Sequence, residues 1–309
     1  MRFLDLFAGC GGMSLGMEQS GMECEGFVEW WDPAINTHYK NFPQSKLIGE
    51  DIEEIPDEVF KALNGKVDVI VGGPPCQGFS MAGKRDIRDP RNSLFVHFVR
   101  AVNQIQPTFF VMENVRGITS MKNEEGIYAF NVILEEFKKI NYKVKVKLLN
   151  SGNYNVPQAR KRIIFIGWKD EKYDKMDLFP KRMVQKVTVN DVLDLEYEEN
   201  EQIQHQYSQK SKKDILKNSY LKQGDNFSKF KSAGKKLKRN ALSPTITKGG
   251  KYIHPVYNRF CSVREVARLQ SFPDSFEFCG TVEEMYAQIG NAVPVLMAKA
   301  IGDKLIKSV

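Results

Sequence analysis

One cysteine stands in a setting suited to chemistry: Gly72-Gly-Pro-Pro-Cys76-Gln-Gly-Phe-Ser80. A free cysteine is most often an inert buried hydrophobe. One on a glycine- and proline-rich rim is better placed to be exposed and to react as a thiolate. Pro74 and Pro75 fix the approach of the chain just before it. Glu113 follows the apolar run Phe109-Phe-Val-Met112 and opens Glu-Asn-Val. A carboxylate at the tip of a buried strand could deliver a proton; the plainer alternative is that it caps a turn. In Gln158-Ala-Arg160-Lys-Arg162 the two arginines are two residues apart, so on an extended chain they share a side. The plainer reading of this motif alone is a solvated basic strand start. His97 as a base for the thiol is disfavoured, because it falls inside a predicted apolar helix.

A second set of residues suits an adenosine-containing ligand. Asp5-Leu-Phe7-Ala-Gly9-Cys10-Gly11-Gly12 joins a predicted strand to a predicted helix, where glycines let a ligand approach the backbone. Glu29 ends the next strand, 20 residues after Gly9, where an acid can accept ribose hydroxyls. Trp30 could lie against a purine. The spacing departs from the G-x-G-x-x-G of dinucleotide binding, which disfavours a nicotinamide oxidoreductase. Gln288-Ile-Gly290-Asn291-Ala292-Val-Pro294 reads alone as a turn before a helix.

These residues need elements to hold them. Apolar runs predict strands at 2–7, 25–30, 46–48, 68–71, 108–113, 143–149 and 162–168, with helices at 13–20, 33–41, 93–104 and 126–141. Their alternation implies a doubly wound, mostly parallel α/β sheet. Residues 143–149 alternate Lys with apolar residues, which predicts an edge strand or one wet face. Helical stretches are also read at 189–195 and 294–307, with an ordered segment at 264–270. Of the 309 residues 42% are hydrophobic and 27% charged, the balance of a globular chain rather than a disordered one. The net charge is +7, but residues 210–239 hold 11 Lys/Arg against two Asp, so the basic character is local. Five scattered cysteines and four histidines suggest neither a disulfide framework nor a zinc site, and no metal is expected. Nine residues before Cys10, interrupted by Asp5, do not make a signal peptide, and no apolar run approaches the roughly 20 residues of a membrane span. A cytoplasmic protein with reduced thiols is expected.

Taken in order, these clusters resemble the C5-cytosine DNA methyltransferases of bacterial restriction–modification systems. The resemblance covers nearly the whole chain. It rests on Phe-Ala-Gly-x-Gly-Gly, Glu29-Trp30, Gly49-Glu-Asp51-Ile52, Pro-Pro-Cys-Gln, Glu-Asn-Val, Gln-x-Arg-x-Arg, Arg264-Glu-x-Ala-Arg-Leu-Gln270 and Gly-Asn-x-Val. Glu50 and Cys261-Ser262 depart from common family residues. The resemblance implies a Rossmann-like catalytic domain, residues 1–172 plus 281–309, and a smaller irregular target-recognition domain, 173–280. It implies Cys76 as nucleophile at cytosine C6, Glu113 at N3, and Arg162 at O2 with Arg160 nearby. S-adenosyl-L-methionine would be held by Phe7, Gly9, Cys10, Gly11, Gly12, Glu29, Trp30, Asp51, Ile52, Pro75, Asn291 and Ala292. Double-stranded DNA would meet Gln77, Ser80, Lys235, Lys236, Lys238 and Arg239. A monomer is expected, with a cognate endonuclease acting separately on the same sequence. The same chemistry on transfer RNA is the alternative, disfavoured by Gly78-Phe79-Ser80 after Pro-Pro-Cys-Gln. A binding protein that has lost catalysis is disfavoured by the intact Cys76, Glu113 and Arg162.

Overall fold

The computed structural model describes residues 1–75, 94–122, 126–193, 235–249, 252–256 and 260–309. Cys76, Gln77 and Ser80, and the basic stretch before Lys235, lie outside the described residues.

Seven strands form one sheet: β1 (Arg2–Leu6), β2 (Glu23–Val28), β3 (Leu47–Gly49), β4 (Val69–Gly72), β5 (Phe109–Val115), β6 (Lys143–Asn150) and β7 (Lys161–Trp168). Their order is β3-β2-β1-β4-β5-β7-β6. The first five are mutually parallel; β7 runs antiparallel to β5 and to β6. The central strands β4 and β5 are apolar runs buried on both faces, as a covered parallel sheet requires. β6 forms the sheet edge, and its alternating lysines keep that edge wet. The strand expected at 25–30 ends at Val28, so Glu29 and Trp30 lie just past its carboxyl end.

Helices cover both faces. α1 (Gly12–Gln19), α2 (Asp32–Asn41), α3 (Asp57–Lys61), α4 (Leu94–Ile105) and α5 (Ala129–Lys139) come first, and α6 (Val263–Leu269), α7 (Val282–Asn291) and α8 (Val295–Ile306) follow. Phe98, Phe110 and Phe137 bring α4 and α5 onto one face, with the Phe110 and Phe137 rings stacked 4.0 Å apart. On the other face α1 and α8 share a core with Phe3, Val69, Val111 and Ile164. Tyr173, Leu178 and Phe179 join that same core. A third cluster joins α6 and α7 to Leu237, Ile246 and Tyr252, and also to Cys10 and Phe42 from the first part of the chain. The helical stretch expected at 189–195 is a single 3₁₀ turn, Val189–Asp191, capped by Thr188, up to the last described residue there. A two-stranded ribbon pairs β8 (Lys235–Lys236) with β9 (Tyr252–Ile253).

The α1–α8 seam explains two glycines. A Cβ on Gly16 would lie 2.5 Å from the Ala298 Cβ and 2.6 Å from the Val295 carbonyl oxygen. One on Gly302 would lie 2.3 Å from Ser20 Oγ. Small residues four apart let the two helices approach closely, and this anchors the turn that starts α1.

Candidate active site

Strand order reverses between β1 and β4, where open α/β sheets bind ligands outside the carboxyl ends. Leu6 pairs with Gly72, Gly72 with Met112, and Val115 with Arg162. The register therefore brings the Phe7–Gly12 turn, the Gly73-Pro74-Pro75 segment, Glu113 and Arg162 to one edge. Because β7 is antiparallel, its beginning reaches the edge where β5 ends.

Glu113 and Arg162 meet directly: Arg162 Nε lies 2.6 Å from Glu113 Oε1, and both side chains are largely buried. Gly73 lies against the same carboxylate, since a Cβ there would sit 3.3 Å from Glu113 Oε2. Asn114 Nδ2 reaches the Pro74 carbonyl at 3.5 Å, and Asn114 Oδ1 accepts from the Val115 amide. Pro75, half-buried, is the last described residue before Cys76. Arg160 is not part of this pair. It is buried, and its guanidinium donates to the backbone carbonyls of Ile246, Gly290 and Asn291. Burial pushes its pKa down to about 9.

Around the first turn, Gly9 adopts φ 55°, and a Cβ there would meet nothing within 4 Å, so the turn presents open backbone. Gly12 has the opposite reason: its hydrogens face the Val293 carbonyl, 2.7 Å from where a Cβ would be. Cys10 is buried, its thiol directed at the Gln288 carbonyl at 3.7 Å and pushed up to about 12 by burial. Cys10 can therefore offer a ligand only its backbone. Phe7 holds φ 60°, a left-handed conformation rare for a bulky residue.

Glu29 organises the turn. Its Oε2 accepts from the Gly9 amide at 2.7 Å, and Oε1 accepts from the Trp30 and Trp31 amides at 3.1 and 3.0 Å. Burial raises its pKa, opposed by these amides. A carboxylate has about four acceptor sites, so about one remains for a ligand hydroxyl. Trp30 is 71% exposed, a free aromatic face beside it. Asp51 is exposed and caps the Glu53 amide at 2.9 Å, while Ile52 is buried. Arg100 of α4 fixes this segment by donating to the carbonyls of Ile52 and Ile55. Asn291, the last residue of α7, is exposed, and Ala292 after it is half-buried.

Beneath the turn lies a polar chain that the motifs did not reveal. Ser14 Oγ donates to Asp5 Oδ2 at 2.6 Å and lies 3.1 Å from His38 Nε2, all three residues being buried. Gly11 caps α1 without a side chain, and Asp5 supplies a carboxylate to the helix start from β1. His38 stacks on Phe27 at 3.8 Å, and burial pushes its pKa down to about 3. The only sequence signal for this chain was polar residues inside otherwise apolar patterns.

A family model described as C-5 cytosine-specific DNA methylase matches residues 1–307. The chain belongs to that family. It is 35% identical to the Type II methyltransferase M.DdeI of Desulfomicrobium norvegicum, covering 99% of this chain and 88% of the relative. It is 37% identical to the Type II methyltransferase M1.HphI of Haemophilus parahaemolyticus, covering 99% and 87%. Among solved structures it matches a prophage-encoded E. coli protein described as a DNA modification methyltransferase, at 31% identity and TM-score 0.78 over 99% of both chains. As a member of this family the protein is a DNA cytosine-5 methyltransferase with a Rossmann-like fold, which is what its motifs implied. No helix among the described residues is long and apolar enough to cross a membrane.

Proposed function

We propose that the protein extrudes a target cytosine from duplex DNA, adds the Cys76 thiolate to C6, and methylates C5. The observation that carries this reading is the Glu113–Arg162 pair at the sheet edge, with Glu113 on the strand beside the one that leads to Cys76. Cytosine presents N3 and O2 side by side, so an adjacent carboxyl and guanidinium match that edge of the ring. Glu113 would hold a proton at N3, and Arg162 would donate to O2. The sulfur–C6 bond forms as the C5=C6 electron pair shifts to make C5 nucleophilic; after methylation, loss of the C5 proton expels the thiolate and restores the double bond. Flipping costs a few kcal/mol, offset by contacts in the pocket and along the backbone.

The residues around the first turn fit S-adenosylmethionine. Open backbone at Gly9, an acceptor site left on Glu29 and the exposed Trp30 face suit an amino acid tail, a ribose and an adenine. Bound there, it would supply an electrophilic methyl group. Phe7, Gly11, Gly12, Asp51, Ile52, Pro75, Asn291 and Ala292 would line the rest, with Cys10 contributing backbone only. Arg160, its Nη groups engaged by backbone carbonyls, is given a positioning role. Residues 173–280 would form the target-reading part, with Gln77, Ser80, Lys235, Lys236, Lys238 and Arg239 contacting DNA. We infer a cytoplasmic monomer working beside a separate endonuclease of the same specificity.

Duplex carrying 5-fluorocytosine at the target tests the reading. Fluorine cannot leave as a cation, so elimination stalls and protein should become covalently joined to DNA in the presence of donor. Cys76→Ala should give no adduct; an adduct that survives it sinks the assignment.

A further inference from the structure

The burial of Arg160 has a purpose that the pair at Glu113 does not need. Arg160 Nη1 donates to the carbonyls of Ile246 at 2.8 Å and Gly290 at 3.1 Å, and Nη2 reaches the Asn291 carbonyl at 3.4 Å. One guanidinium thus clamps two segments distant in sequence. Gln158, also fully buried, reinforces the clamp. Its Oε1 accepts from the Ile246 amide at 2.8 Å, and its Nε2 donates to Gln270 Oε1 at 2.8 Å. Gln270 in turn donates to the Ile289 carbonyl at 2.7 Å. The two segments are also in direct contact, because a Cβ on Gly290 would lie 2.3 Å from the Lys248 amide nitrogen.

On the reading above, the segment around Ile246 belongs to the target-reading part, and Asn291 lines the methyl-donor site. We propose that Arg160 is a positioning residue that couples the two ligands, so that duplex DNA and the methyl donor strengthen each other's binding. Its planar fork holds both segments in one relative geometry. A ligand that orders one segment therefore leaves less for the other ligand to order. The paired Arg160 Nη, Gln158 and Gln270 groups of this buried network have few alternative arrangements, which makes it suited to this task.

The test measures binding of S-adenosylhomocysteine with and without a duplex carrying the sequence that sequencing of methylated DNA identifies. In the unmutated protein the duplex should tighten product binding by about 5–150-fold, and by linkage the product should tighten duplex binding by the same factor. Arg160→Lys keeps the charge but not the fork, and the factor should fall to within about twofold of one, whatever either affinity becomes alone. Arg162→Lys should lose turnover and keep the factor. A factor of one in the unmutated protein, or an unchanged factor in Arg160→Lys, overturns the proposal. Should Arg160→Lys not fold, the unmutated protein decides. Product alone should slow hydrogen exchange at the Ile246 and Thr247 amides, and no change there overturns it. Failure of the product to bind at all would instead overturn the donor-site reading, and the coupling with it.

Discussion

Glu113 and Asp5 are carboxylates on the same face of the sheet, but their neighbours differ in kind. Glu113 has a guanidinium beside it. Glu113→Gln keeps shape and removes the proton source, so turnover should fall on the order of 10²–10⁴ while donor binding holds; single-turnover kinetics check this, and a loss under about tenfold excludes Glu113 as the acid. Asp5 has a hydroxyl and, further off, another carboxylate. Burial, with a smaller push from Glu29, raises its pKa from 3.8 to about 7. The folded protein then binds a proton that the unfolded chain releases, so the stability Asp5 contributes is full below about 3.8 and lost as pH rises through about 7. His38 acts oppositely: its contribution is present above 6.5 and lost as pH falls through about 3. Between pH 4 and 6.5 the two slopes oppose one another. Asp5→Asn removes one of them, so the stability of the variant relative to the unmutated protein should grow from pH 4 to 7, by at most roughly 1.4 kcal/mol per pH unit. Denaturant midpoints across that range would show it, and a constant difference would refute it. Glu113 was legible because an acid follows directly on an apolar run. The different environment of Arg160 was not, because spacing puts Arg160 and Arg162 on one side without showing that residues 86 and 130 positions away cover the first.

Among the elements, the parallel strands were legible as apolar runs, and the wet edge strand as alternating lysines. The reversed direction of β7 was not, since direction depends on pairing rather than pattern. The short helix α3 and the helix α7 were also missed. Yet Thr281 and Glu284 form a capping box at the start of α7, a signal that lay in the sequence. The same device opens α6 through Ser262 and Glu265. Ser262→Ala removes it and should lower stability by about 1 kcal/mol. The α1–α8 seam is less forgiving. Gly16→Ala gains up to about 1 kcal/mol of helix propensity but drives a methyl group to 2.6 Å from a backbone carbonyl that cannot turn aside. Overpacking of this kind costs about 1–3 kcal/mol, so the melting temperature should fall, and donor affinity with it as the glycine turn shifts. A variant as stable as the unmutated protein would mean the helices can separate freely.

For the whole molecule, charge and core are distributed differently. The excess of cations is concentrated in residues 210–239, of which Lys238 and Arg239 are described and exposed. If about five phosphates are neutralised, log affinity for duplex should fall with log salt at a slope near −4.5. Replacing Lys235, Lys236, Lys238 and Arg239 together by Ala should flatten it by about one unit per lost contact, with donor affinity unmoved. An unchanged slope would place the DNA contacts elsewhere. The apolar core, by contrast, ignores chain order: Gly16 and Ser20 close against Ala298 and Gly302, which are made some 280 residues later. At about 5–20 residues per second a ribosome takes on the order of 15–60 s to reach that helix. Throughout that time the earliest strand and its glycine turn lack the partner that fixes them. A nascent chain that has not yet reached α8 should thus hold its nucleophile and most of its sheet and still be unable to mark DNA, so methylation waits on a helix made long after the site it supports.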